Sequence, residues 1–298
     1  MEIRRALETV VAITVTPFDD KGQLDPAAHT AVVARMAQAG VPVITANGNT
    51  GEFYALSASE MDEALRLTVE AAGPALVIAG VGYELERAVG MARSAAEAGA
   101  TAIMVHQPVH PYQSAEGWIG YHRAIADAAP ELGVVCYLRD PRVDGARLAR
   151  LAELCPNFIG VKYAVPDVLA FARTQAAVPA GRLAWVCGLA ELWAPYFWLA
   201  GARGFTSGLA TVAPEMSLSL LDRLRSADFA GAMRLWEAVR PLEELRARDG
   251  SADNVSVIKE ALAQRGLCGR GVRLPSTELS AVDREAVAEI TGRWSTLL

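Results

Sequence analysis

Short apolar runs rich in β-branched residues alternate with Ala-rich amphipathic runs along most of this chain. The apolar runs are typical of strands buried on both faces. The amphipathic runs often open with Ser, Asp or Pro and close with Gly, which indicates helices. A strand and a helix repeated eight times, at intervals of roughly 20 to 32 residues, predict an α/β fold of the (β/α)8 TIM barrel type. The predicted strands are 10–18, 41–48, 75–82, 100–108, 133–138, 158–164, 183–190 and 201–210.

The length and the order of elements leave one alternative fold. A chain of 298 residues is long enough for one barrel or for two smaller domains. The alternative is a doubly wound open sheet, which usually has fewer strands and a GxGxxG turn that is missing after the first strand here. After Pro214 no strands separate the helical runs. We therefore predict a catalytic barrel over residues 1–227 and a C-terminal helical domain over 228–298, in which Trp236 and Trp294 pack on the barrel or on a neighbouring subunit.

Composition and charge argue against several functional classes. A formal net charge of −6 without a block of lysine or arginine disfavours nucleic-acid binding. No long uncharged apolar span suits a membrane, and the N-terminal run fits a first strand better than a signal peptide. We therefore expect a cytoplasmic protein with neither nucleic acid nor membrane as a partner. The four cysteines do not have the spacing of metal ligands, and free thiols are therefore expected at Cys136, Cys155, Cys187 and Cys268.

Lysine is rare in this chain, and one lysine has an unusual place. Of the 28 basic residues 25 are arginine, and the lysines are Lys21, Lys162 and Lys259. Lys162 lies inside the apolar run FIGVKYA, where an unpaired ammonium is costly. One interpretation is structural, with the ammonium reaching water or a salt bridge. The other is chemical, because apolar surroundings lower the pKa of an amine until it can attack a ketone, which the guanidinium of arginine cannot do.

Further polar residues follow the predicted strands, at the barrel edge where active sites of this fold form. After the second strand, Gly48, Asn49, Thr50 and Gly51 form a turn whose N–H groups suit a carboxylate, although a purely structural turn has the same pattern. The fifth strand ends in Tyr137, whose phenol either packs in the core or moves protons. The sequence therefore predicts a polar site that both strands share.

The loops after the fourth and fifth strands add candidates for the pocket mouth. A lone histidine is usually a hydrogen-bonded structural residue, but near pH 7 it can also transfer a proton. A ring of such donors suits a polyhydroxylated acid. The predicted ring consists of His110, Asn49 and Arg142, and Tyr112 and Tyr54 add further hydroxyl contacts. His106 lies near the same rim, and Arg139 follows Tyr137 in the chain.

An amine, a phenol and an anion-binding turn at one barrel mouth have a combined chemical meaning. An amine that condenses with a ketone gives an iminium, which accepts electrons when a bond one carbon away breaks. We therefore expect a small-molecule 2-oxo acid as the partner, held as a covalent imine on Lys162. This chemistry needs no separate cofactor and no metal.

Five features follow one another along nearly the whole chain: VTPF, GNTGEFYAL, Tyr137, GVKYA and GARGFTSGLATVAP. In these features and their order the chain resembles the dihydrodipicolinate synthase and N-acetylneuraminate lyase superfamily. The resemblance implies that Lys162 forms the iminium with a 2-oxo acid, that Tyr137 shuttles protons, and that the Asn49-Thr50 turn binds the carboxylate beside the ketone. It further implies a homotetramer or dimer and a pocket lined by groups around Thr206 and Ser207.

The sequence departs from true dihydrodipicolinate synthases at two places. Their glycine turn has a Thr-Thr pair where this chain has Asn49-Thr50, and their TPYYNRP loop reads HQPVHPYQS here, with His110 at the second tyrosine. Arg142 does match, by its spacing from Tyr137, the synthase arginine for the second substrate. GNTGEFYAL is closer to the GGTGEFFSL-like turn of 5-dehydro-4-deoxyglucarate dehydratases, which remove water and carbon dioxide from a sugar acid through the same iminium.

We therefore predict a Schiff-base-forming lyase for a 2-oxo-3-deoxy sugar acid such as 5-dehydro-4-deoxyglucarate. One alternative is a dihydrodipicolinate (4-hydroxy-tetrahydrodipicolinate) synthase, which condenses pyruvate with aspartate semialdehyde. The other is a catalytically silent 2-oxo acid binding protein. The predicted catalytic residues are Lys162 and Tyr137, and the predicted substrate-binding residues are Gly48, Asn49, Thr50, Gly51, His110, Arg142, Thr206 and Ser207.

Overall fold

A closed parallel barrel forms the centre of the protein. The computed structural model describes residues 2–296, and in it each strand pairs with the next in chain order while β8 pairs with β1. The predicted (β/α)8 TIM barrel is thereby confirmed. The strands are β1 Val10–Ile13, β2 Val43–Ala46, β3 Leu76–Val81, β4 Ala102–Val105, β5 Gly133–Leu138, β6 Phe158–Tyr163, β7 Ala184–Cys187 and β8 Gly204–Ser207.

Several strands end earlier than the apolar runs that predicted them. The first run continues to Phe18, but β1 ends at Ile13, and Phe18 instead forms an isolated antiparallel bridge with Leu24. The last run passes from β8 into a 3-10 turn at Leu209–Thr211. The surplus residues follow the carboxyl ends of the strands, where this fold builds its sites. Phe18, for example, is buried against Phe53, Leu56 and Met61 instead of extending the sheet.

Helices surround the barrel and continue beyond it. Side-chain oxygens at the N-caps, such as those of Asp25, Ser57 and Ser114, accept backbone N–H groups that have no partner within the helix. The helix α1 precedes the barrel, α2 to α9 each follow one strand, and α10 to α12 form the C-terminal appendix. The helices are α1 Glu2–Ala6, α2 Pro26–Gln38, α3 Ala58–Ala71, α4 Leu85–Glu97, α5 Ala115–Ala128, α6 Gly145–Leu154, α7 Val168–Ala176, α8 Ala190–Leu199, α9 Pro214–Arg225, α10 Phe229–Ser251, α11 Asn254–Ala263 and α12 Ala281–Gly292.

The apolar residues form two layers. The larger layer lies between the strands and the surrounding helices. The smaller layer contains Leu7, Val11, Val43, Val135 and Tyr137. Successive strand residues face opposite sides of a sheet, so Tyr137 faces inward while its neighbours Cys136 and Leu138 belong to the outer layer. This inward position directs the phenol toward the barrel mouth.

The appendix packs on the barrel through its first helix. Asp228 caps α10, and Trp236 donates its indole N–H to the carbonyl oxygen of Leu192 in α8, at 2.9 Å. Trp294 instead donates to Ala238 within the appendix. The α10 helix is interrupted at Arg248–Gly250, where the backbone torsions are not helical. The division into 1–227 and 228–298 stays a prediction, and Met1 and residues 297–298 lie outside the described residues.

Other structural features concern the cysteines and the helices. The thiols of Cys136, Cys155, Cys187 and Cys268 are free. None of the helices found in residues 2–296 combines the length and the hydropathy that a membrane span requires.

Candidate active site

Lys162 and Tyr137 lie opposite each other on neighbouring strands. Tyr137 of β5 is in register with Lys162 of β6. The Nζ atom of Lys162 lies 4.0 Å from the centre of the Tyr137 ring. Both side chains are buried, with 5% and 8% of their surface exposed. The parallel pairing of two strands therefore brings an amine and a phenol together at the barrel mouth.

The surroundings of Lys162 favour its neutral form. Burial lowers the pKa of this amine to about 7, and the positive charges of Arg139 and Arg246 act in the same direction. A large share of the amine is thus unprotonated near neutral pH, as a nucleophile requires. Burial raises the pKa of Tyr137, so its phenol keeps its proton under the same conditions. The site therefore combines a nucleophile with a proton donor.

The glycine turn after β2 forms one wall of the site. Residues Asn49–Gly51 make a 3-10 turn, and Asn49 Nδ2 donates to the Tyr137 hydroxyl at 3.4 Å. A Cβ atom at Gly48 would lie 2.4 Å from Ile13 Cγ2, so only glycine lets this turn approach β1. The buried Oδ1 atom of Asn49 has no hydrogen-bond partner among the described residues. Asn49 and Thr50 line the cavity beside Lys162, whereas Gly48 and Gly51 shape the turn from behind.

Two residues of the appendix hold this turn through Glu52. The Nζ atom of Lys259 donates to one carboxylate oxygen of Glu52, and the backbone N–H of Arg273 donates to the other at 2.7 Å. Both side chains of the ion pair are buried, with 0% of Lys259 and 3% of Glu52 exposed. Glu52 has a left-handed backbone with φ of 62°, a conformation that few residues other than glycine adopt. The appendix therefore fixes the glycine turn that lines the cavity.

Replacing Lys259 by methionine is expected to lower the free energy of unfolding by about 3–5 kcal/mol, because it leaves the Glu52 carboxylate buried without its ammonium. Urea denaturation measures this difference. Arg66→Met is the matched control, since it breaks the exposed Arg66–Glu70 pair and is expected to cost less than about 1 kcal/mol. Equal losses of unfolding free energy in the two variants would show that the buried Glu52–Lys259 pair stabilises the fold no more than an exposed pair does.

The cavity at Lys162 has a volume of about 170 Å³. Thr206 of β8 lines it and donates to the carbonyl oxygen of Cys187 at 3.4 Å. The appendix closes the opposite side with Glu243, Arg246 and Asn254, among other residues. Sequence reasoning missed this contribution. The one signal for it is the RARDGSADN segment, where Gly and polar residues interrupt an otherwise helical pattern.

Arg246 forms a charged but fully paired part of this wall. Its Nη1 atom donates to Glu243 at 2.6 Å and its Nη2 atom donates to Asn254 Oδ1 at 2.7 Å. The guanidinium packs against Gly208, where a Cβ atom would lie 2.5 Å from Nη2. Since its carboxylate partner Glu243 is equally buried, the charge of Arg246 is balanced within the protein.

A second cavity of about 350 Å³ adjoins the first. Asn49, Tyr137 and Arg139 line both cavities, and the second also contains Tyr54, His106, Gln107, Pro108 and Val109. His106 Nε2 donates to the carbonyl oxygen of Asn47 at 3.2 Å, and its ring stacks on Phe53. Burial lowers the pKa of His106 to about 3, so this imidazole is neutral. The two cavities together offer room for a substrate longer than pyruvate.

Besides Gly48 and Gly51, three predicted binding residues do not reach either cavity. His110 is exposed, and its Nδ1 atom accepts the N–H of Tyr112 within the same loop. The side chain of Arg142 is 67% exposed because it folds back on Asp140, with Nη2 and Oδ2 2.6 Å apart. The Ser207 hydroxyl is buried between Glu191 and Ser217. The expectation that these side chains line the pocket is therefore corrected.

The described residues contain no group of three or more His, Cys, Asp or Glu side chains placed to hold a metal ion. The donors around Lys162 are instead amide, hydroxyl and guanidinium groups. Such groups bind carboxylates and hydroxyls of an organic acid. The geometry therefore supports covalent chemistry on a small organic acid.

Solved structures share this architecture, and curated proteins are similar in sequence. A structure of a dihydrodipicolinate synthase from Bacillus clausii is 41% identical, with a TM-score of 0.94 over 98% of this chain and 99% of that chain. One from Oceanobacillus iheyensis is 37% identical, with a TM-score of 0.94 over 99% of both chains. A probable 5-dehydro-4-deoxyglucarate dehydratase of Methylobacterium radiotolerans is 34% identical over 98% of this chain and 97% of that protein.

The match to a protein family covers almost the whole sequence. Residues 6–292 match the dihydrodipicolinate synthetase family. That span includes every strand of the barrel, both residues of the amine and phenol pair, and most of the appendix that completes the cavity. The fold, the site and the sequence lead to the same conclusion: this chain belongs to the dihydrodipicolinate synthetase family.

Proposed function

We propose that this chain is a Schiff-base-forming lyase whose substrate is a 2-oxo-3-deoxy sugar acid such as 5-dehydro-4-deoxyglucarate. The observation that carries the proposal is the buried amine of Lys162, with its pKa lowered to about 7, against the Tyr137 ring. A neutral amine can add to a ketone, and a neighbouring phenol can supply and recover the protons that this reaction moves.

Imine formation uses both groups. Carbons are numbered here from the carboxylate beside the ketone, so the ketone carbon is C2. The Lys162 amine adds to C2, and the resulting hydroxyl takes the Tyr137 proton and leaves as water. An iminium and a phenolate remain, and the positive iminium stabilises the phenolate beside it. The carboxylate next to C2 faces the turn at Asn49 and Thr50, whose N–H and side-chain groups are donors. Binding therefore fixes the ketone in front of the amine.

Elimination follows from the iminium. The phenolate removes a proton from C3, and the electrons of that bond give an enamine. The enamine expels the C4 hydroxyl, which takes the proton back from Tyr137 and leaves as water. The iminium is now conjugated, and it accepts the electrons of the C5–C6 bond when the distal carboxylate leaves as carbon dioxide. Protonation from solvent, rearrangement of the C5 enol to an aldehyde and hydrolysis then free Lys162 and the product.

The choice of substrate rests on the turn and on the relatives. Asn49 occupies the position beside the Tyr137 hydroxyl, so this contact comes from an amide rather than from a second hydroxyl. Curated relatives that are 33% and 32% identical, from Rhodococcus opacus and Rhodococcus jostii, carry the name probable 5-dehydro-4-deoxyglucarate dehydratase. The second cavity supplies space for the polar half of such an acid.

A second candidate is dihydrodipicolinate synthesis from pyruvate and aspartate semialdehyde. The observation in its favour is the high identity to solved structures of that name. Against it, Arg142 is folded onto Asp140 outside the cavities, and Tyr112 is 85% exposed. Neither side chain reaches the reacting groups in this chain.

A substrate panel tests the proposal. The purified protein is assayed with 5-dehydro-4-deoxyglucarate, other 2-oxo-3-deoxy acids, N-acetylneuraminate, and pyruvate plus aspartate semialdehyde. We expect turnover of the first compound, with carbon dioxide released in equal amount to the product. Robust condensation with the semialdehyde and no turnover of any sugar acid would contradict this choice. Imine trapping without any turnover would support the silent binding protein instead.

We also infer that the chain forms a homo-oligomer, a tetramer or a dimer, and that it works in the cytoplasm without a separate cofactor. An apolar groove supports the first inference, since Leu199 at its edge is 70% exposed and such patches mark interfaces. Sedimentation velocity measures the state, and a monomer at micromolar concentration would contradict it. The groove is lined by Val168, Leu192, Trp193, Tyr196, Leu199, Ala200 and Trp236.

A further inference from the structure

Arg139 is a cation at the site without an internal counter-ion. It follows the last residue of β5 and lines both the cavity at Lys162 and the adjoining one. Within residues 2–296, no hydrogen bond or ion pair engages its side chain. The neighbouring carboxylate of Asp140 forms its ion pair with Arg142 instead. A guanidinium that faces a cavity unpaired is available for an anionic ligand.

The other arginines near the site are already paired. Arg246 is held by Glu243 and Asn254 in the wall of the first cavity. Arg142 is bound to Asp140 and lies outside both cavities. The positive charge of Arg139, in contrast, adds to the lowering of pKa that burial causes at Lys162 and His106, and it opposes the raising of pKa that burial causes at Tyr54. It therefore lies within electrostatic reach of the groups that define both cavities.

We propose that Arg139 binds the distal carboxylate of the substrate and so makes the site selective for dicarboxylic 2-oxo acids. The inference rests on the proposed function, because it assumes that the 2-oxo end forms the imine on Lys162. The first carboxylate lies at the Asn49-Thr50 turn, and the chain extends past Tyr137 into the second cavity. Arg139 stands where the two cavities join and meets the far end of a six-carbon acid.

This contact contributes to binding rather than to bond cleavage. A cation stabilises the carboxylate that is later lost as carbon dioxide, so the guanidinium does not itself accelerate that loss. Its effect belongs to selection of the substrate. Imine formation, measured without turnover, is therefore the appropriate readout.

The test compares two 2-oxo acids of equal chain length. 2-Oxoadipate ends in a carboxylate and 2-oxohexanoate ends in a methyl group, and borohydride traps either one on Lys162. Trapping is measured against acid concentration, at a pH well above the pKa of Lys162, so that a change in that pKa does not affect the comparison. We expect half-saturation of the parent protein at about 10- to 150-fold lower 2-oxoadipate than 2-oxohexanoate, as charged hydrogen bonds predict.

Arg139→Gln is expected to abolish this preference, and Arg139→Lys to restore part of it. Arg142→Gln is the matched control and is expected to keep the preference. Folding should be unchanged in the Arg139 variants, because the side chain is exposed and makes no hydrogen bond to the described residues; circular dichroism checks this. Equal trapping of both acids by the parent, or an equal loss in the Arg142 variant, would overturn the inference. No trapping of either acid would instead refute the proposed Schiff base.

Discussion

Replacing Lys162 by arginine is expected to abolish turnover and imine trapping. Arginine keeps a positive charge but has no nucleophilic amine, and removal of a covalent nucleophile costs roughly 10⁶-fold in rate. Borohydride reduction in the presence of pyruvate should add mass to the peptide that contains Lys162 in the parent protein. The same peptide should carry no added mass in the variant.

The scarcity of lysine makes this experiment unusually clear. The chain has only Lys21 and Lys259 besides Lys162, and Lys259 is buried in its pair with Glu52. Lys21→Arg is therefore the matched control and should trap pyruvate as the parent does. Lys162→Met removes the amine without placing a charge in the cavity. Circular dichroism of both Lys162 variants shows whether a loss of activity reflects misfolding. Mass added at another lysine, with turnover retained, would refute the assignment.

Replacing Tyr137 by phenylalanine is expected to slow turnover by about 10²- to 10⁴-fold, the usual effect of losing one acid–base group. The fold should lose only about 1 kcal/mol, since a single hydroxyl with one partner is removed. Steady-state kinetics and urea denaturation measure the two effects. The phenol transfers protons both in imine formation and in elimination, so kcat should fall more than the KM rises.

Tyr163→Phe is the control for Tyr137→Phe. Tyr163 follows Lys162 in β6 and is equally buried, but it packs outward against Phe171 and Phe197. Its loss of a hydroxyl should leave the rate unchanged. Equal turnover in the Tyr137 variant and the parent would remove this phenol from the proton path.

The fold was predictable because each strand and helix has a local pattern. Apolar β-branched runs and capped amphipathic runs alternate in the sequence, and parallel strands joined by helices close into a barrel when there are eight of them. The ends of the strands were less predictable. Residues such as Val15 and Phe18 are apolar and buried like strand residues, yet they lie beyond the end of β1, and periodicity does not separate the two positions.

The site was predictable only where strand ends define it. Lys162, Tyr137 and Asn49 meet because their strands are neighbours in the barrel. The appendix residues Arg246 and Asn254 were missed, since the interrupted helical pattern of RARDGSADN shows a break in a helix but not that this break faces a cavity.

The sequence also did not show which of Arg139 and Arg142 is paired with a carboxylate. Spacing and resemblance pointed to Arg142, but the nearby Asp140 binds it. A sequence does not show which of two nearby arginines will form the ion pair with a carboxylate. This choice leaves Arg139 as the unpaired one.

The buried pair of Glu52 and Lys259 has a consequence for the order in which the protein becomes functional during synthesis. The two residues are separated by 207 positions, so the turn at Glu52 obtains its ammonium partner only after 207 further residues have been synthesised. A nascent chain can complete all eight strands and still lack the ammonium that holds Glu52. All eight strands of the barrel are therefore synthesised before the residue that holds the turn at Asn49 and Thr50.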